Sequence, residues 1–174
     1  MVCTVNIIKE IYEELNLLRT NPESYIPILE EYRTLFDNEY EYDDPETRAR
    51  IRTMDGIGAV DEALAFLREM TPVPAIRFLS IGLCRAARDL VNSHSISGKT
   101  GSLTEDGRDL EARIDRYGTR IGSFAECTNY GQNKATEIIK QLLIDDGGRK
   151  SFQRLVTVCS CNARKSSKFN CAHI

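Results

Sequence analysis

Apolar residues recur at intervals of three and four along most of this chain, and the places where that rhythm breaks divide it into helices and connections. Ile8, Ile11, Tyr12, Leu15 and Leu18 put one apolar stripe on a helix over residues 5–19, which Asn21-Pro22 ends. Ser24 is placed to cap a second helix carrying Tyr25, Ile28, Leu29, Tyr32, Leu35 and Phe36. Pro27 falls in its first turn, where a missing N–H does no harm. Residues 37–53, DNEYEYDDPETRARIRT, are acidic, then basic, and almost without apolar side chains. That composition predicts a surface loop holding at most a short helical piece.

Ile57, Val60, Leu64, Leu67 and Met70 define a third helix, closed by Thr71-Pro72-Val73-Pro74. Ser80 opens a fourth, SIGLCRAARDLVNSHS. Leu83, Cys84, Ala86, Ala87, Leu90 and Val91 cover so much of its circumference that it is expected to be largely buried near the centre of the fold. Gly98 and Gly101 bracket the turn that follows. Asp106 or Asp109 caps the short helix DLEARIDRYG, with Leu110, Ile114 and Tyr117 facing inward and Gly118 as the left-handed residue that stops it. Residues 121–130 are short, mixed and bounded by glycines, which predicts a strand. A last helix starts at Asn133 and carries Ala135, Ile138, Ile139, Leu142 and Leu143, before the Asp-Asp-Gly-Gly run at 145–148. Residues 155–161, LVTVCSC, and 168–174, KFNCAHI, then read as two strands joined as a hairpin. Helices first and a strand pair last predict an α+β domain with helices packed on a small sheet.

With 174 residues, one domain spanning 1–174 is expected. No apolar run approaches the roughly 18 residues of a membrane span. A net charge of −3 with scattered lysine and arginine gives no footprint for nucleic acid. The N-terminal residues read as amphipathic helix and lack the pattern of an export signal. A cytoplasmic setting is therefore expected, with the six cysteines at 3, 84, 127, 159, 161 and 171 as free thiols.

Six fragments in order carry a family likeness: LNLLRTNPESYIPILEEYRTLF, GIGAVDEALAFL, TPVPAIRFLSIGLCRAARDLV, TGSLTEDGRDLEARIDRYG, GSFAECTNYG and ATEIIKQLLIDDG. From about Leu15 to Gly148 the chain resembles the CAP superfamily (cysteine-rich secretory, antigen 5 and pathogenesis-related proteins), especially its prokaryote-like and protist branch. The resemblance implies a three-layer α-β-α sandwich with a small, mainly antiparallel sheet. It also implies a cleft in which two histidines and acidic partners can hold a divalent metal. The branch's first histidine follows a Thr-Gly pair, and the matching place here is Ser102. Its acid, in a Gly-Glu-Asn motif, matches Glu126. Its second histidine lies in an RGHR motif, where this chain has GGRKSFQR. His94 and His173 fall on neither motif.

Glu126 therefore reads as a structural hydrogen-bond acceptor, with a general base or ligand as the alternative, and Ser102 has no histidine placed to activate it. Cys159-x-Cys161 and Cys171-x-His173, on paired strands, give one further arrangement, a tetrahedral zinc site, against the simpler reading of cysteines packed as small apolar side chains. His94 reads as a partner of its helix C-terminus. The expected function is a non-enzymatic intracellular module, structural or protein-binding and part of a larger cytoskeletal or ciliary assembly, with protein partners and no cofactor. The alternatives are a protein that binds sterols or fatty acids on the apolar faces of helices such as residues 24–36, and a hydrolase using Glu126.

Overall fold

The computed structural model describes residues 5–120, 122 and 124–147. The first helix, α1, spans Val5–Thr20 and buries Ile11, Leu15 and Leu18. A single 3-10 turn, Pro22–Tyr25, leads into α2, Ile26–Thr34, which carries Leu29 inward. Ser24 does not cap it: its hydroxyl bonds back to the Asn21 carbonyl, 2.7 Å away, and proline fills the first turn. Helix α3, Gly56–Glu69, contributes Val60, Ala63, Leu64 and Leu67. The last described helix, α6, spans Ala135–Ile144 and adds Ile139, Leu143 and Ile144. Together with Tyr25 and Ile76 these side chains make one core, with α1 against α6 and α2 against α3.

Polar residues of α1 fix the proline-rich connection after α3. Arg19, itself buried, donates through Nε and Nη2 to the Pro74 carbonyl at 3.2 and 2.8 Å. Asn16 receives the Ile76 N–H at 2.7 Å, and the Tyr12 hydroxyl donates to the Ile76 carbonyl. A segment with two prolines has few N–H groups to offer a sheet, so side chains satisfy its carbonyls instead.

The acidic-then-basic stretch is not a loop. It folds as an antiparallel hairpin of β1, Glu41–Asp43, and β2, Arg50–Arg52, with Tyr42 opposite Ile51. Its composition is the cause. Arg50 pairs with Asp37, with Glu41 at 3.1 Å and with Asp43 at 3.2 Å, while Asp44 closes the turn by accepting the Thr47 N–H at 2.6 Å. Tyr42 meets Tyr32 and Phe36 ring to ring, with centroids 5.2 and 5.1 Å apart, and so anchors the hairpin to the end of α2. Gly56, just after β2, has φ +66° and a position where a Cβ would stand 2.1 Å from the Glu39 carbonyl oxygen. Only glycine fits there.

Asp146 accepts the N–H groups of Met54 and Asp55 at 2.9 and 2.7 Å, and Asp55 accepts that of Gly147 at 2.8 Å. The end of α6 is thereby tied to the start of α3.

The three-layer α-β-α sandwich and its antiparallel sheet are not what the chain forms. Among the described residues the only sheet is the two-stranded hairpin, and the fold is predominantly helical. The strand expected at 121–130 is absent from residues 124–130, whose backbone is irregular. Its side chains are tied to three different elements: Glu126 to Arg113, Asn129 to Gln141, and Tyr130 to His94. No described strand lies beside it to complete a ladder, which a strand needs. The expected hairpin of residues 155–161 and 168–174 lies outside the described residues.

The fourth helix, α4, Ile81–Ser97, is capped by Ser80 as expected, but it is not central. It buries Ala86, Leu90 and His94 on one face and leaves Ile81 71% and Val91 50% exposed. Helix α5, Leu110–Asp115, packs against it, capped by Asp109 through the Ala112 N–H at 2.8 Å. Arg116, not Gly118, ends α5, and in a right-handed conformation.

Candidate functional site

The segment 99–131 lies against the buried face of α4, and one side chain holds it together. Arg113, on α5, has no solvent exposure. Its guanidinium grips Glu126 bidentately, Nη1 to Oε1 at 2.8 Å and Nη2 to Oε2 at 2.6 Å. Nη1 also donates to the Ala86 carbonyl at 3.0 Å, and Nη2 to the Ser102 carbonyl at 3.4 Å. One residue thus joins α4, α5, the glycine turn and the irregular segment 124–130. The planar fork of arginine suits this role, because its donors match a carboxylate and leave edges for carbonyls.

Ser102 and Glu126 are therefore brought to one common partner, Glu126 by its carboxylate and Ser102 by its backbone carbonyl. Glu126 is 12% exposed, and both of its oxygens are taken by Arg113. Ser102 is exposed and contributes its carbonyl, while its hydroxyl has no partner among the described residues. The sequence placed the acid but not its cation. Arg113 was missed, and the signal that could have found it is its place at helical spacing among Leu110, Ile114 and Tyr117, the residues expected to face inward. A carboxylate without a histidine partner, close in the chain to such an arginine, is a second signal pointing the same way.

His94 is buried, and both ring nitrogens are used. Nε2 is 2.9 Å from the Leu103 carbonyl, and Nδ1 is 3.0 Å from the Tyr130 hydroxyl, which also accepts the Gly101 N–H at 2.9 Å. Since a carbonyl only accepts, Nε2 carries a proton and donates. The Tyr130 hydroxyl also lies 3.1 Å from the Gly101 carbonyl, a second acceptor for its proton. This histidine pins the glycine turn to α4 rather than simply interacting with the helix C-terminus.

An open groove of about 480 Å³ runs between α4 and the turn, lined by Asp89, Asn92, Ser93, Ile96, Thr104 and Asp106 among others. Its carboxylates are already partnered. Asp89 receives Arg116 at 2.6 Å and the Tyr117 hydroxyl at 2.9 Å, and Glu105 pairs with Lys99 at 2.7 Å. Arg108 beside Asp106, helped by the Thr104 hydroxyl at 2.6 Å, holds the Asp106 carboxyl down at about 2. With their carboxyls lowered in this way, Asp106 and Glu105 stay ionised at neutral pH and are poor proton acceptors.

Among the described residues no three His, Cys, Asp or Glu side chains are grouped as a metal site requires. Cys159, Cys161, Cys171 and His173 lie outside the described residues. Burial raises the Cys84 thiol above its ordinary value. No helix among the described residues is long and apolar enough to cross a membrane. No protein-family model matches the sequence, and no match was found among curated proteins or solved structures.

Proposed function

We propose that the chain works as a non-enzymatic module that binds other proteins. The observation that carries this reading is the Arg113–Glu126 pair. The one acid that the motif pattern singles out is sealed by a buried guanidinium, and the same guanidinium holds the surrounding backbone. A carboxylate so engaged is a structural element, since using it as a base would strand a buried positive charge.

Binding of a lipid by the apolar face of α2 finds no such support, because Tyr25 and Leu29 are spent on the core. The interaction reading is tested by isolating the native protein under mild conditions and measuring the stoichiometry of what accompanies it. A stable complex with fixed protein ratios is expected. Catalytic turnover that vanishes in a folded Glu126→Gln variant would overturn the proposal.

A further inference from the structure

We propose that the outward face of α4, with Arg77 and Phe78 just before it, is the docking surface, and that its partner is an acidic protein segment carrying apolar anchor side chains. This deepens the interaction-module reading and rests on it.

Helix α4 buries Ala86, Leu90 and His94, four residues apart on one side. The opposite side presents Ile81, Arg85, Arg88 and Asn92 at steps of four, three and four, one line along the helix roughly 16 Å long at 1.5 Å per residue. Ile81, which opens the line, is 71% exposed, and Phe78, three residues before the helix, is 63% exposed.

The charges on this face are unusual for the molecule. Most described lysines and arginines are held in ion pairs, such as Arg33 with Asp61, Arg50 with Asp37, Arg68 with Glu30 and Arg120 with Asp115. The guanidinium groups of Arg77, Arg85 and Arg88 have no ion pair or hydrogen bond among the described residues, a state that Arg48 in the hairpin turn shares. In a chain with 26 acidic residues, three unpaired guanidinia next to exposed Phe78 and Ile81 form a patch distinct from the rest of the surface.

Guanidinium forks fit carboxylates in two parallel hydrogen bonds, and arginine with an aromatic neighbour is the composition of residues that dominate interface energies. The apolar pair requires apolar anchors on the partner, which a phosphate backbone lacks. An amphipathic helix with carboxylates beside a leucine stripe meets both requirements.

The probe is a fluorescent amphipathic peptide with glutamates flanking a leucine stripe, titrated with the full chain and followed by anisotropy. A lysine version, a single-stranded RNA and phosphatidylserine vesicles serve as comparators. Binding of the glutamate peptide alone is expected, weakening with salt and falling about tenfold or more in Arg85→Glu/Arg88→Glu and in Phe78→Ser. These side chains are exposed, so unchanged helical circular dichroism and thermal unfolding keep each variant interpretable. Equal binding by wild type and variants, no binding of the peptide, or preferential binding of RNA or vesicles overturns the proposal. The same charge reversal in the native complex separates the two readings. A complex that survives it sinks this surface and leaves the interaction module standing, whereas a native protein with no complex at all sinks the module.

Discussion

Replacing Glu126 by glutamine tests the centre of the segment 99–131 most directly. The side chains are nearly the same size, so the change removes a charge and leaves packing intact. What is left behind is Arg113, wholly excluded from solvent, with its Nε already lacking a hydrogen-bond partner. Breaking one half of a buried ion pair costs about 3–5 kcal/mol, because the surviving charge has neither water nor counter-ion. The 12% exposure of Glu126 and the retained Ala86 and Ser102 carbonyl contacts place the expected loss at the lower end, about 3 kcal/mol. For a chain of this length that is a fall in melting temperature of roughly 6–12 °C. Urea unfolding followed by circular dichroism gives the free energy. Arg113→Met, Glu126→Gln and their combination close a double-mutant cycle, in which the double variant is expected to lose clearly less than the two single losses added. A Glu126→Gln loss below about 1 kcal/mol, or strict additivity, would show that the pair is not the buried link described above.

Three further outcomes follow from other parts of the fold. Gly56→Ala is expected to destabilise by about 3 kcal/mol or more in urea unfolding, since the new Cβ meets the Glu39 carbonyl and the backbone has φ +66°; a neutral effect would refute the close approach. Burial, with Glu14 for Tyr25 and Tyr42 for Tyr32, pushes both hydroxyls far above the ordinary range. Unfolded tyrosines ionise near pH 10, so these two favour the folded state below about pH 10 and that contribution is lost as pH rises above it. Absorbance titration is expected to show both ionising only with unfolding; seven tyrosines titrating together with helical signal intact would contradict their burial. Asp106 has its carboxyl lowered from 3.8 to about 2, so its stabilising effect is present above about pH 4 and disappears as pH falls towards 2. In Asp106→Asn the acid limb of the stability curve between those values is expected to flatten, and an unchanged limb would exclude this contribution.

The helices of the core were legible because burial on one side writes a period of three to four into the sequence. Leu15 and Leu18, Tyr25 and Leu29, Val60 and Leu64, and Ile139 and Leu143 all occupy the positions that this period assigns them. The hairpin was not legible. Its strands are three residues long, and its register is set by Arg50 among three acids and by Tyr42 against Tyr32 and Phe36, contacts that no short window contains. Helix α4 misled for a different reason. Small and thiol side chains such as Ala87 and Cys84 count as apolar in a pattern, yet they are tolerated on a half-exposed face.

The sequence by itself determined the helical segments and the capping of α4 by Ser80, because each depends on residues within a few positions of one another. Tertiary structure alone decided that residues 124–130 form no strand, that α4 lies at the edge of the core, and that Glu126 faces Arg113 rather than a free cleft. A sheet needs a partner strand, burial needs a second surface, and a carboxylate takes its role from the charge that the fold sets against it.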